Sequence, residues 1–543
     1  MSASDKKKLR REQNKDKVAK QMQASQKEAA RLKLYTIIFA AALALMVVVF
    51  VCTSIFSTGV LEKNTTAVTV AGHKLNGVTL NYYYIDSVSD FIESYGSYLA
   101  LFGLDPYTAL DKQYSGSETK ITWADDFIDQ ALQTIKATYC LYDKAVAAEH
   151  KLTEDEEKKV TSQLANLTLA ALQNGYSNVD SYLVDVYGRG SSQESYEEYL
   201  RVQALASSYY TAHSEEMKAS FTKDDIKKEQ DKDYHLYSNY KYSYYYVAPS
   251  AYYEGGKKDD KGNTVYSDEE KAAGLKKAEE VANRLLVYAR VGIADLDRAI
   301  KDLPINAGKK DAGSTHTSVL KSSLGSVMKD WLIDKDRKVG DATVLTNSTT
   351  SKDENGKETT TVNGYYVIVF EGIEENTMKL VNVRHILVAF TGGTTDSYGN
   401  VTYSDTEKET ARKKAADLLA KFKDSKGTEF NFGELAEKNS DDTGSKANGG
   451  LIENIYPNQM VESFNDWIFA EGRKVGDTDV IESEYGYHVM FFNGFSDTTF
   501  REYMIKNTLL SDGMDKWYEE INKDVVAELI TDRFVEKGLI LAG

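Results

Sequence analysis

Proline and cysteine are close to absent: 543 residues hold four of the first and two of the second. So few prolines exclude a loop-built scaffold and suit long uninterrupted helices and strands. Cys52 lies inside an apolar run, which leaves Cys140 without a partner, so no disulfide is expected in the rest of the chain. Such a chain outside the cytoplasm fits a bacterial surface better than a eukaryotic secretory route. Net positive charge is missing as well. The chain sums to −17, and nucleic acid is excluded as a partner because phosphate binding needs a cationic face. The seven histidines are scattered, with no Cys/His cluster at zinc spacing. There is no P-loop, no Gly-x-Gly-x-x-Gly after a strand and no Gly-x-Ser-x-Gly elbow. No metal and no cofactor are expected.

What the chain does have is 42% hydrophobic and 11% aromatic residues, 37 of them tyrosine. That is ample for folded cores, and the length suggests roughly three or four domains. Charge is unevenly placed: residues 1–33 carry eleven Lys/Arg against four Asp/Glu, so everything after them sums to −24. The next 23 residues, 34–56, hold no charge. As a helix they would span about 34 Å, enough for a hydrocarbon core of ~30 Å. By the positive-inside rule the basic tail is cytoplasmic and the bulk lies outside, anchored in a bacterial cell membrane by a single pass through the lipid bilayer. A cleaved signal peptide and a lipid-modified Cys52 are the alternatives for this segment.

Val68-Thr-Val-Ala-Gly-His73-Lys-Leu alternates like a strand with a turn at Gly72. From Tyr82 to about Lys232 the pattern is helical. Trp123, Phe127, Ile128, Ala131, Leu132 and Ile135 form one apolar stripe, and Thr153-Glu-Asp-Glu156 is a capping-box start. Residues 64–236 are expected to form one helical domain. An internal repeat follows. Asp330-Trp-Leu-Ile-Asp-Lys-Asp-Arg-Lys-Val-Gly-Asp341 matches Asp466-Trp-Ile-Phe-Ala-Glu-Gly-Arg-Lys-Val-Gly-Asp477 at an offset of 136. Tyr244-Tyr-Tyr-Val-Ala pairs with His385-Ile-Leu-Val-Ala, and Asn363–Phe370 with Tyr485–Phe492. Each copy reads strand, helix, helix, short helix, strand. Copy one has two polar stretches of extra length, 254–263 and 347–361, expected as exposed loops. Residues 499–541 read as helical again and should dock on another domain.

From Val381 to Phe495 the second copy resembles the parvulin family of peptidyl-prolyl isomerases. Val383-Arg-His-Ile-Leu-Val388 looks like the family's first strand. Phe432-Gly-Glu-Leu-Ala-Glu-Lys-Asn-Ser-Asp-Asp-Thr-Gly-Ser445 with Asn448-Gly-Gly-Leu451 resembles its helix and active loop. Gln459-Met-Val-Glu-Ser-Phe464 looks like its pocket helix, and Val475-Gly-Asp477 with Tyr485-Gly-Tyr-His488 its last turn and strand. The resemblance implies a catalytic group of His385, Asp442, His488 and Ser483 beneath a proline slot of Leu451, Met460 and Phe464, the last two sharing a helix face. It also implies clients: unfolded or newly secreted proteins with X–Pro bonds. Two departures stand out. Ile452-Glu-Asn-Ile455 follows the Gly-Gly pair, and Thr391-Gly-Gly-Thr-Thr-Asp396 replaces the basic cluster of phosphate-directed members, so phosphorylated substrate should not be required.

In copy one Tyr244, Tyr366, Leu324 and Met328 replace His385, His488, Met460 and Phe464, which suggests a degenerate, inactive domain. Val68–Leu80, the Trp123–Tyr142 helix and Leu152–Glu156 resemble the chaperone module of SurA- and PrsA-like foldases, whose lobe cradles unfolded clients. The expected architecture is α+β and multidomain: cytoplasmic tail (1–33), transmembrane helix (34–56), helical chaperone-like lobe (64–236), degenerate parvulin-like domain (238–374), isomerase domain (378–496) and a C-terminal helix on the lobe (499–543). The parvulin-like domains are small antiparallel sheets plus helices. Two functions compete: an extracytoplasmic prolyl isomerase, and a non-catalytic holdase that uses parvulin folds to bind extended peptides.

Overall fold

The structure, a computed structural model, describes residues 33–34, 36–50, 58–116, 120–352, 356–396, 399–425 and 427–541, with single positions 15 and 27. The expected membrane span is described only as a helix over 36–50, with every side chain exposed, and its remainder lies outside the described residues. Among the described residues no helix is long and apolar enough to cross a membrane. The chain divides into two units: residues 1–219 with 512–543, and residues 220–511.

In the first unit a short helix (Val60–Asn64) leads into a hairpin, β1 (Thr66–Val70) and β2 (His73–Asn76). Its two-residue turn places Ala71 at φ 49° and Gly72 at φ 84°, the left-handed pair that a tight hairpin requires. Five main helices follow: α1 (Gly77–Tyr95), α2 (Trp123–Ala147), α3 (Glu154–Gln173), α4 (Val179–Tyr187) and α5 (Gln193–Ser220). Asn76 caps α1, Thr122 caps α2, and Thr153 with Glu156 forms the reciprocal capping box of α3. Trp123, Phe127, Ile128, Ala131 and Ile135 are buried with β1 and the tyrosines of α1 in one core. Within that core Asp86 accepts hydrogen bonds from Tyr199 at 2.6 Å and Tyr187 at 3.2 Å.

The C-terminal segment is helical only over Phe500–Asn522; the expected helix does not continue to residue 541. Residues 523–541 instead run back along the first unit. Leu529 pairs with Val68, Ile530 donates to the Ala67 carbonyl at 2.8 Å, and Leu110 donates to that of Leu539 at 3.0 Å. β-Branched Val525, Val526 and Thr531 and a glycine at 538 are poor helix formers, and the free edge of β1 offers the backbone bonds instead.

The second unit holds the repeat. Copy one comprises β3 (Asn239–Val247), α6 (Asp268–Ala289), α7 (Ile293–Lys301), β4 (Thr315–Leu320), α8 (Ser326–Leu332), β5 (Ala342–Lys352) and β6 (Glu358–Glu374). Copy two comprises β7 (Lys379–Ala389), α9 (Asp405–Asp424), α10 (Glu429–Asn439), β8 (Leu451–Ile455), α11 (Glu462–Ile468), β9 (Thr478–Ser483) and β10 (Gly486–Thr499). The antiparallel four-stranded sheets run β4-β3-β6-β5 and β8-β7-β10-β9, the same order twice. Register repeats too: Tyr244 pairs with Ile368 as His385 pairs with Met490. The Asp-Trp…Arg-Lys-Val-Gly-Asp motif is a staple. Arg337 lies 3.9 Å over the Trp331 ring and Arg473 lies 3.9 Å over that of Trp467, and each arginine also donates to its tryptophan's carbonyl.

Three expectations need correction. Each four-stranded sheet has two more strands than the sequence pattern indicated; in copy two these are β8 and β9, which are short and carry Glu and Asn or Asp among their apolar residues. Residues 347–352 and 358–361 extend the β5–β6 hairpin, with Thr350 bonded to Thr360 at 3.0 Å across it, so their exposure reflects strand rather than loop. Residues 254–263 are no insertion, since copy two carries a matching hairpin (Thr394–Thr395 with Val401–Thr402) where copy one has Lys257–Lys258 with Thr264–Val265.

Candidate functional site

Alternation along β7 and β10 turns Ile386, Val388, Val489 and Phe491 toward α9 and α10. The residues between them face α11, so Val383, His385, His488 and Met490 share the other side of the sheet. His385 and His488 are buried, and their Nδ1 atoms lie 3.1 Å apart. The Phe464 ring packs edge-on against both imidazoles, 5.5 Å from each.

Polar groups close both ends of this pair. His385 Nε2 lies 2.9 Å from the Asp442 carboxylate and 3.1 Å from Ser445 Oγ. His488 Nε2 lies 2.8 Å from Ser483 Oγ. The bond from His385, helped by those from Ser445 and the Gly444 N–H, holds the Asp442 carboxyl far below the usual carboxylate range. Burial lowers His488 to about 4, with His385 adding to the shift, so His488 is neutral near pH 7. An ionised Asp442 only accepts, so His385 Nε2 carries a proton. When both rings are neutral, His385 Nδ1 then accepts from His488 Nδ1–H, and His488 Nε2 accepts from the Ser483 hydroxyl. The result is one directed chain from Ser483 through both imidazoles to Asp442.

The turn bearing Asp442 is fixed from below. Buried Ser440 Oγ accepts from the N–H groups of Leu387 and Asp442 at 3.1 and 3.2 Å. Arg384 donates to the carbonyls of Asn448 at 2.7 Å and Gly449 at 3.0 Å, holding the loop that leads into β8. Gly449 (φ 65°) and Gly450 (φ 72°) are left-handed there, and a Cβ on Gly450 would come within 2.1 Å of the His385 carbonyl oxygen. Only glycine fits.

The structure brings His385, Asp442, His488 and Ser483 into one network. Phe464 is wholly buried beneath the imidazoles, with Met460 partly buried in the same cluster. Leu451 does not join them as expected: it pairs with Arg384 and shares that residue's face of the sheet, opposite to His385, whereas Ile452, paired with Val383, stands on the histidine side. Met460 is not on the helix with Phe464 as expected. It precedes α11, in a turn where Asn458 adopts φ 64° and bonds Asn465 Oδ1 at 2.7 Å. Sequence reasoning gave no role to Ser440, Ser445 or Arg384. The Asp442-Thr-Gly-Ser445 spacing, with a hydroxyl three residues after a carboxylate, is the turn signature that could have flagged Ser445. In copy one the imidazole positions hold Tyr244 and Tyr366, with ring centroids 5.6 Å apart.

Residues 365–492 match the PPIC-type peptidyl-prolyl isomerase domain family; the match starts in β6 of copy one and ends in β10. The chaperone SurA of Pseudomonas putida is 28% identical over 178 residues, 32% of this chain and 38% of that one. A putative peptidyl-prolyl cis-trans isomerase of Campylobacter jejuni is 34% identical over 112 residues, covering 20% and 33%. Foldase protein PrsA 1 of Listeria innocua is 36% identical over 59 residues, covering 11% and 20%. The chain thus spans about a third of the length of the first of these curated relatives. The crystal structure of PrsA from Bacillus subtilis aligns over 80% of this chain and 98% of its own at 13% identity, with a TM-score of 0.26.

Proposed function

We propose that this chain, which carries a parvulin-type peptidyl-prolyl isomerase domain, is an extracytoplasmic foldase that isomerises X–Pro bonds in newly secreted or unfolded proteins. The observation that carries the reading is the buried chain Ser483–His488–His385–Asp442 beside the partly buried Met460 and Ile452. Twisting an X–Pro amide breaks no covalent bond, but it surrenders partial double-bond character against a barrier of ~18–20 kcal/mol. Uncatalysed exchange takes about tens to hundreds of seconds. A site accelerates it by preferring the twisted amide, whose carbonyl oxygen and nitrogen have lost conjugation. A dry apolar slot takes the ring, and a polar network beside it that is already satisfied and oriented needs no rearrangement as the amide turns. Lowering the barrier by ~5–7 kcal/mol gives about 10⁴- to 10⁵-fold.

The same reading assigns His385, Asp442, His488 and Ser483 to catalysis, and Met460, Phe464 and, in place of the expected Leu451, Ile452 to the proline slot, with Phe464 shaping it from beneath. It places the chain in a bacterial cell membrane through residues 34–56. Support comes from the uncharged 23-residue run behind a tail of eleven Lys/Arg, and from the helix over 36–50 with its exposed apolar side chains. A non-catalytic holdase is the second reading, favoured by Tyr244 and Tyr366 where the other copy has imidazoles. Prolyl isomerisation by the full chain in mild detergent, on an unphosphorylated X–Pro tetrapeptide beside Asp442→Ala, separates the two. Turnover that falls at least tenfold in the variant is expected. A folded chain no faster than buffer would leave the holdase.

A further inference from the structure

Between the first strand and the first helix of each copy stands the two-stranded hairpin noted above, and the two hairpins are more alike than the sites beside them. Nine of the sixteen residues from Gly255 to Glu270 are identical at an offset of 137. Their geometry repeats as well. Asp259 N–H donates to the Asn263 carbonyl and Asp396 N–H to that of Asn400, both at 2.9 Å. At the root, Tyr253 meets Tyr266 and Phe390 meets Tyr403, each pair at 5.1 Å. Gly255 and Gly392, at φ 98° and 90°, press against the capping-box glutamates Glu270 and Glu407, so closely that a Cβ would lie 2.4 and 2.2 Å from a carboxylate oxygen. Yet all four residues of each ladder are exposed, so the arm adds nothing to the core. A segment that buries nothing, but is clamped identically in two copies whose sites have diverged, is built for contact.

The arm's chemistry says with what. In an antiparallel ladder hydrogen-bonded and non-bonded pairs alternate. With Asp396 bonded to Asn400, the next pair, Thr395 and Val401, turns its N–H and C=O groups outward. Thr394, Thr395, Val401 and Thr402 are β-prone and uncharged, with none of the Lys or Pro that guards a free edge. The arm also continues the site. It leaves β7 after Ala389, whose N–H donates to Asp441, the neighbour of Asp442, and Phe390 N–H donates to the carbonyl of Tyr485 in the turn that holds Ser483.

We propose that the arm's two strands, Thr394–Thr395 and Val401–Thr402, form a strand-addition edge that grips the extended client polypeptide next to the prolyl bond being isomerised. Its partner is an uncharged, β-prone stretch of unfolded chain, held through backbone hydrogen bonds. The activity half of the test rests on the prolyl isomerase reading; the binding half does not.

Thr395→Pro removes an outward N–H and none of the arm's own bonds, and Val401→Lys adds a guarding charge to the edge. The full chain is assayed on an X–Pro tetrapeptide, too short to reach the arm, and on the proline-limited refolding of a small protein. Both variants should keep tetrapeptide kcat/KM within about twofold and lose about five- to tenfold on refolding, the effect of one backbone bond and its neighbours. Equal losses on both substrates, or none on either, would overturn the proposal. Hydrogen exchange at Thr395 and Val401, with and without a reduced, alkylated protein, applies even if no isomerisation is found. Protection supports the arm, and its absence sinks it while leaving the catalytic reading untouched.

Discussion

His488 and Asp442 sit in one network and both are depressed, so both cost stability as pH falls, but in different windows, and this makes their contributions separable by pH. His488 is held near 4 by burial, below an unfolded value of about 6.5. Above pH ~6.5 both states are neutral and nothing is lost; as pH falls toward 4 the unfolded chain takes a proton that the folded one refuses. The cost grows to roughly 3 kcal/mol at pH 4. Asp442 is depressed, so its contribution is complete above an unfolded value of about 3.9 and is lost only below it. The decline between pH 6.5 and 4 should therefore belong to His488. Urea midpoints read from Trp467, with Trp123, Trp331 and Trp517 replaced by Phe, should fall across that window and flatten in His488→Phe. An unchanged slope would assign the decline elsewhere. Gly450→Ala is the steric counterpart. A Cβ 2.1 Å from the His385 carbonyl oxygen must push the loop off β7, and prolyl isomerase activity should fall by at least tenfold while far-UV circular dichroism is retained.

At the scale of elements, legibility followed how local the signal was. Helices were readable because their caps and stripes are spelled within a few residues, as in Thr153–Glu156 and Trp123–Ile135. β8 and β9 were not, since five or six residues with Glu, Asn or Asp among them alternate too briefly to declare a strand that pairing across the sheet then makes. The hairpin arm was hidden differently: its polar composition looked like an insertion, although its Gly-Gly, Asp-x-x-Gly-Asn and Tyr-Ser-Asp residues betray the duplicate. The site was legible as far as family signatures reached, but Ser440 gains its role from backbone geometry that no residue type announces. The Trp–Arg staple, by contrast, was visible as a repeat without its meaning. Each arginine lies 3.9 Å over its ring, so Arg337→Ala and Arg473→Ala should cost their own domains similar amounts, about 1–2 kcal/mol. Domain-resolved urea unfolding checks this, and a large asymmetry would show that the staple matters in only one copy.

On the scale of the whole molecule the chain is not ordered as its units are. The first unit is closed by residues from the far end of the sequence, with the second unit inserted between its parts. Residues 523–541 supply the third strand of the N-terminal sheet at Leu529, a carbonyl for Asn81 at Phe534 and an apolar side chain, Val535, to the core. Gly77 is required by this closure, because a Cβ there would meet the Phe534 ring at 2.8 Å. No periodicity within the first 220 residues could reveal the missing strand. Ending the chain after Asn522 would expose the edge of β1 and part of the core around Val68, and should destabilise the first unit by about 3–5 kcal/mol. The isomerase domain draws none of its network from that segment, so tetrapeptide turnover should be unchanged. Limited proteolysis should then cut first within residues 66–220 of the shortened chain. If cleavage there is no faster than in the intact protein, the C-terminal strand is decoration and the first unit folds on its own.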